Sequence, residues 1–130
     1  MFGKKRIAAI NATRLSDVKP ELAEKCATII ALAASEGFTL IVTNGYRSIA
    51  EQNKLYRIGR RGVRGERIVT NAAGGQSNHN FREAVDFAFI VAGEISWNEA
   101  LYENLGRWAR RVGLKWGGDW KFRDMPHVEL

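Results

Sequence analysis

Apolar residues recur at helical spacing from Leu22 onward: Leu22, Cys26, Ile29, Ile30 and Ala33 fall on one face. Pro20 suits a first helical turn, Asp17 and Glu21 place negative charge at its positive end, and Gly37 is the expected stop. The pattern then changes. Phe38–Thr43 is apolar and β-branched and predicts a buried strand, followed by a sharp turn at Asn44-Gly45. Ser48, with Glu51 three residues on, predicts a capping box and a helix running through Leu55 and Tyr56 to about Gly59. Residues 60–80 have no period and carry glycines at 62, 65, 74 and 75; loops of that length are usually functional or disordered. Ala84–Val91 alternates cleanly: Val85, Phe87, Phe89 and Val91 share one face, and Ala84, Asp86, Ala88 and Ile90 the other. A hairpin turn at Ala92-Gly93-Glu94 follows. Ser96 is then expected to cap a helix from Trp97 to about Val112, ended by Gly113. A short strand at Leu114–Trp116, a Gly117-Gly118 turn and a last strand at His127–Leu130 complete the chain. Locally pairing strands with helices before and between predict an α+β fold, with a small antiparallel sheet and helices packed on one face.

Length and charge narrow the picture. The 130 residues allow one domain, 1–130, with no separate wall-binding domain. No apolar run approaches the roughly 20 residues of a membrane span. The basic N-terminus is followed by only Ile7–Ile10 as an apolar stretch, short of the roughly 7–15 residues of a secretory leader. The expectation is synthesis in the cytoplasm without a signal peptide. The only cysteine, Cys26, excludes an internal disulfide and a Cys-rich zinc site, and reads as a buried small hydrophobe. Lys+Arg outnumber Asp+Glu 20 to 14, giving +6. Arg57, Arg60, Arg61, Arg64 and Arg67 crowd one stretch, and Arg107, Arg110, Arg111, Lys115, Lys121 and Arg123 another. Such charge fits nucleic acid, an anionic membrane surface or an acidic wall polymer. A non-enzymatic basic module for wall or nucleic acid is therefore one reading, although the arginine stretch lacks the aromatic interleaving of a single-strand binder.

The other reading comes from the only two histidines, His79 and His127. Two imidazoles and a carboxylate are a sufficient protein ligand set for a catalytic zinc, whose fourth position is left to water. His79 lies seven residues before Asp86, which on one uninterrupted strand would put them on opposite faces. They can meet at a metal only if the chain bends at Asn80–Glu83.

Four local sequences bear on this. Ser77–Asp86 resembles the S-x-H-x-x-G-x-A-x-D motif of the zinc D-alanyl-D-alanine carboxypeptidases and L-alanyl-D-glutamate peptidases, the VanY-like peptidoglycan peptidases. Asp124–Leu130 resembles the second motif, an acidic residue three before a His. Asn44–Ser48 followed by Gln52 resembles G-x-R-S-x-x-x-Q, and Trp116–Trp120 resembles the W-G-G-D-W stretch. They occur in the right order from about residue 40 to the end. One departure is Arg82, where the motif usually has Gly; a positive φ there would carry a backbone cost.

The resemblance implies a D-alanyl-D-alanine peptidase (Hedgehog-like) fold and one zinc per chain, held by His79, Asp86 and His127. It implies Asp124 as general base toward the attacking water and leaving amine, with Glu129 as rival base or as the group that orients His127. Arg47 would stabilise an oxyanion or hold a substrate carboxylate. Ser77 and Gln52 would contact substrate or support the residues that do, and Tyr46 would line the cleft beside the substrate or simply pack. Trp116 and Trp120 read as core or rim aromatics, and Asp119 as structural. The activity implied is hydrolysis of peptidoglycan stem peptides, foremost as an L-alanyl-D-glutamate endopeptidase of the phage endolysin type. A D,D-carboxypeptidase or D,D-dipeptidase with the same metal chemistry is the alternative. The protein would be a monomer that acts on the cell wall after release, and Arg60, Arg61 and Arg64 would help hold it at an anionic wall surface.

Overall fold

The computed structural model describes residues 3–130; Met1 and Phe2, part of the basic N-terminus weighed above as a leader, lie outside the described residues. Helices α1 (Lys4–Leu15) and α2 (Pro20–Ser35) precede strand β1 (Thr39–Asn44) and helix α3 (Ile49–Arg57). Strands β2 (Ala84–Val91) and β3 (Glu94–Ser96) form the hairpin. Helix α4 (Glu99–Val112) and strands β4 (Lys115–Trp116) and β5 (His127–Glu129) complete the order. All pairings are antiparallel, β1-β2-β5-β4, with β3 also on β2. Strand β2 carries β1 along one edge, while β5 and β3 take the start and end of the other.

One sheet face builds the main core. Leu40, Val42, Val85, Phe87, Phe89 and Val128 pack against Leu22, Cys26, Ile29 and Ala33 of α2 and Tyr102, Leu105, Trp108 and Ala109 of α4. This is the arrangement the alternation in β2 and the stripe in α2 predict. Burial also raises the Cys26 thiol to about 12, which leaves it an inert core residue. Truncating a fully buried ring such as Phe87 would cost about 3–5 kcal/mol.

Helix α1 was not expected. Its apolar stripe, Ile7, Asn11 and Leu15, is broken by an amide and surrounded by alanines, so it reads weakly in sequence. The amide is what docks it. Asn11 Nδ2 donates to the Leu40 carbonyl at 3.1 Å, and its Oδ1 accepts from Val42 N–H at 2.8 Å. These bonds occupy backbone groups along β1, the sheet's edge strand. Ile7 then packs on Ile41 and Ala88, so α1 covers part of the second sheet face. The rest of that face, at the β2–β5 end, is left for the site. A second difference is the start of α4: Asn98, not Ser96, is the N-cap, accepting from Ala100 N–H at 3.2 Å, while Ser96 Oγ accepts from Asn98 N–H.

Candidate metal and catalytic site

The bend needed between His79 and Asp86 is present. Ser77 caps a short 3₁₀ turn, Asn78–Phe81, and Arg82 leaves it in the left-handed region at φ 62°. The chain thus reverses direction before β2 begins, and His79 is brought back over Asp86. Asp86 pairs with His127 across the β2–β5 ladder, so these two side chains share a face by register. On the other side a bulge between Val42 and Asn44 sets Asn44 opposite Asp86, and Asn44 Nδ2 donates to Asp86 Oδ2 at 3.2 Å.

His79, Asp86 and His127 each bring one ligand atom into a cluster in which all lie within 4.8 Å of one another. His79 Nε2 is 3.3 Å and His127 Nδ1 is 3.0 Å from the same oxygen, Asp86 Oδ1. The outer ring nitrogens are committed. His79 Nδ1 lies 2.8 Å from the Gly45 carbonyl, which can only accept, so this nitrogen carries the hydrogen. His127 Nε2 lies 2.7 Å from Glu129 Oε1. In the neutral rings the inner nitrogens therefore present lone pairs toward a carboxylate, which is the donor set of a cation.

The electrostatics agree. Burial would raise the Asp86 carboxyl, yet His127 and His79 beside it, which donate to it when protonated, hold it well below the usual carboxylate range. Burial opposes charge on His127 too, but Asp86, Glu129 and Asp124 push its pKa up. The pocket favours positive charge at that point. The residues fit a zinc ion.

Asp124 stands at the rim, its Oδ2 3.8 Å from His127 Nδ1 and its side chain 51% exposed. Burial, then the nearby Asp86 charge, raises its pKa, with His127, His79 and Arg47 pulling the other way. Its backbone is fixed: Asp124 N–H donates to the Gly117 carbonyl at 2.9 Å, and Trp116 Nε1 donates to Met125 O at 2.7 Å. A Cβ on Gly117 would collide with the Asp124 carbonyl, which explains a glycine there. Glu129 is 9% exposed and doubly used, by His127 and by Asn78 Nδ2 at 2.7 Å. It occupies the far side of the His127 ring from Asp124 and Asp86.

Arg47, Ser77, His79, Asp86, Asp124 and His127 all line one cleft of about 500 Å³, with Trp120 at its wall. Trp116, by contrast, is a core ring at 2% exposure. Gln52 and Tyr46 take the supporting and packing alternatives among their expected roles. Gln52 is fully buried; it accepts from Arg47 NH1 at 2.9 Å and donates to the Ala72 carbonyl at 2.7 Å, so it holds Arg47 and the long loop instead of facing the cleft. Tyr46 lies outside the cleft and borders a small hollow with Arg14 and Asp17. Ser77 is in the cleft, with its hydroxyl engaged by His79 N–H at 3.3 Å.

Asn44, Asn78 and Asn80 hold Asp86, Glu129 and the Arg47 backbone in turn, roles not expected from the sequence. Asn44 was seen only as a turn former, and no spacing rule marks the other two. In the long loop Arg60, Arg61 and Arg64 are all exposed, but the first two also have partners within the loop. Arg61 is locked to Glu66 at 2.8 and 2.7 Å, and Arg60 lies over the Tyr56 ring while donating to Tyr56 and Thr70 carbonyls. These two arginines close the loop. Arg64 is exposed, as are Arg57 and Arg67.

The comparisons with known proteins bear on the same residues. The chain is 37% identical over 126 residues to the peptidoglycan L-alanyl-D-glutamate endopeptidase CwlK of Bacillus subtilis (strain 168), covering 88% of this chain and 74% of that protein. Among solved structures it resembles the Serratia marcescens L-Ala D-Glu endopeptidase ChiX, with TM-score 0.72, 28% identity, and coverage of 94% of this chain and 86% of that one. It shares its fold with the vancomycin-resistance D,D-pentapeptidase VanY of a VanB-type cassette, solved in complex with Zn(II), at TM-score 0.68, 19% identity, and coverage of 86% and 71%. The family described as VanY, D-alanyl-D-alanine carboxypeptidase, matches residues 15–127, which include three of the motifs, Asp124–His127 of the other and the whole His–Asp–His cluster; the chain belongs to that family.

Proposed function

We propose that this chain is a zinc peptidase of the peptidoglycan stem and that it hydrolyses the L-alanyl-D-glutamate bond. The observation that carries the reading is the convergence of His79, Asp86 and His127 beside Asp124 in one cleft, in a chain this similar to CwlK. His79 Nε2, Asp86 and His127 Nδ1 would hold one zinc per chain. When bound, zinc supplies Lewis acidity that polarises the scissile carbonyl and makes water a better nucleophile.

The residues divide the remaining work. Asp124, partly exposed and with a raised pKa, takes the proton from the attacking water and returns one to the leaving amine of D-glutamate. Glu129 accepts from His127 Nε2 and orients the ring, which leaves Asp124 as the base. Arg47, held by Gln52 on the same cleft wall, carries the negative charge of the oxyanion or of a substrate carboxylate. Ser77 caps the turn that bears His79 and lines the cleft, where it would contact substrate. For the setting, we assign a monomer of the endolysin type that acts on the wall after release. Rapid clearing of permeabilised cells by added protein supports that assignment, and intact cell turbidity opposes it.

Mass spectrometry of purified muropeptides after digestion tests the bond. The expected products are a sugar-linked L-alanine and a stem peptide beginning with D-glutamate. Loss of terminal D-alanine alone would replace this reading with a D,D-carboxypeptidase.

A further inference from the structure

Trp97 lies between β3 and α4, outside the cleft. Its ring stacks on Tyr102, with centroids 6.2 Å apart and planes within 6°. Tyr102 is 2% exposed, and its hydroxyl donates to the Ser96 carbonyl at 3.0 Å. One indole face is therefore fixed by the core, while 57% of the residue remains exposed. A large ring immobilised with its outer face in water is a preformed stacking platform.

Beside it is a hollow of about 270 Å³, bordered by Trp97, Glu99, Arg123, Asp124 and Pro126 among others. Asp124 also lines the cleft of the metal ligands, so the two depressions adjoin across the residue assigned as base. The rim is polar. Glu99 is exposed, and Arg123 uses Nε and NH2 on Gly118 O and Glu103, leaving the rest of its guanidinium edge for a ligand.

The substrate has a group to fill it. In peptidoglycan the stem peptide hangs by its first L-alanine from the lactyl ether of an N-acetylated amino sugar. A peptidase cutting after that alanine works one residue from the sugar, about 3.5 Å of extended chain. The sugar must lie against the surface next to the cleft. Its C–H face matches an indole, and its hydroxyls and acetamide match a carboxylate and a guanidinium.

We propose that the Trp97 hollow is a saccharide subsite that takes the amino sugar bearing the stem peptide. The proposal rests on the L-alanyl-D-glutamate reading above, and its test separates the two. The zinc-loaded protein is given a disaccharide-linked stem peptide and the same peptide without sugar, and the site of cleavage is read by mass spectrometry. Binding of the peptide-free disaccharide is measured in parallel by NMR titration. Wild type should bind the disaccharide and prefer the sugar-linked peptide. Trp97→Ala should lower kcat/KM on the sugar-linked peptide by about five- to tenfold, the loss expected of one stacking contact, and leave the sugar-free peptide unchanged. Trp97→Leu, which keeps an apolar cover on Tyr102, should behave the same way and keeps the test valid if the alanine variant does not fold. Equal losses on both peptides, no loss on either, or unchanged disaccharide binding by the variants would overturn the subsite. Cleavage at another bond would overturn the reading it rests on, whereas disaccharide binding reports on the subsite itself.

Discussion

Arg82 and Tyr46 are joined face to charge: the guanidinium carbon lies 3.8 Å from the ring centroid. The same guanidinium donates to the Asp17 carbonyl at 2.7 Å, and the Arg82 carbonyl accepts from Lys19 N–H at 3.0 Å. The turn that carries His79 is thereby tied both to the segment before Arg47 and to the junction of α1 and α2. This explains how an arginine can stand at φ 62° where the motif usually has glycine.

Two opposing terms meet at that position. Left-handed backbone costs a non-glycine residue about 1–2 kcal/mol, and a cation–π contact returns about 0.5–1 kcal/mol at an exposed site. Arg82→Ala keeps the strain and loses both contacts, so it should destabilise the fold. Arg82→Gly loses the contacts but also the strain, and should be more stable than Arg82→Ala by about 1 kcal/mol. Urea unfolding of the three proteins checks the order. An alanine variant as stable as the glycine variant would show that the backbone at 82 relaxes without penalty.

The two carboxylates around His127 should separate by pH and by metal content. His79→Ala and His127→Ala should lose zinc and activity together. Asp124→Ala should retain zinc while losing about 10²- to 10⁴-fold in kcat, the usual contribution of a positioned base. Glu129→Ala should instead weaken zinc retention, because His127 loses the partner that fixes its ring. As the proposed base Asp124 would work as the carboxylate, and burial and Asp86 raise its pKa from the ordinary value in the metal-free protein. Activity should therefore fall as pH drops through the titration of Asp124, and Asp124→Ala should erase that acid limb. Metal analysis alongside the pH profile distinguishes a lost base from a lost ion.

Glu36 offers a pH effect on stability remote from the site. It follows α2 and accepts from Arg107 at 2.7 and 3.1 Å and from Trp108 Nε1 at 2.7 Å, joining the two core helices. The Arg107 bond first, then Trp108, lowers its carboxyl to about 2 from an ordinary 4.5. The ionised form is the one bound, so this contribution is complete above 4.5 and disappears as pH falls toward about 2. Glu36→Gln should flatten the loss of stability across that window and lower stability near neutrality. Melting curves taken across the acid range read both.

How far these relations were legible depends on what kind of physics fixed them. The β2 strand, the Ser48–Glu51 box and the Gly113 stop are local, set by alternation, spacing and one glycine's positive φ of 82°, and the sequence carries them openly. The candidate ligand residues were reached through motif resemblance; spacing alone required a bend between His79 and Asp86 for them to meet, and the 3₁₀ turn supplies it. Helix α1 was missed because an asparagine sits in the middle of its buried stripe, and the partner of that amide is a backbone far along the chain. For Gln52 and Tyr46 the motif left two roles open, because it says which residues recur and not which way each side chain turns; Gln52 turns to Arg47 and Tyr46 to Arg82.

The loop at 60–77 carries the last prediction. Its inner side supplies Val69, Thr70, Ala72, Gln76 and Ser77 to the cleft, so whatever its outer side attracts is brought near the site. Glu66 closes it, accepting from Gly59 N–H at 2.8 Å and from both arms of Arg61. Arg61 is thus a structural cation, and Arg61→Gln should make the loop more sensitive to proteolysis. Arg57, Arg64 and Arg67 are exposed and can be replaced without removing the Arg60 and Arg61 bonds that close the loop, so they are the charges to test against an anionic wall polymer. Exposed charges act over a screening length of about 10 Å at 0.1 M salt. Replacing all three with Gln should weaken binding to purified sacculi several-fold at low salt and flatten its salt dependence, roughly as each removed cation no longer displaces a counterion. Hydrolysis of a small soluble stem peptide should be unchanged in the same variant. Sacculus binding that keeps its affinity and its salt slope would show that these arginines serve only to keep the loop solvated.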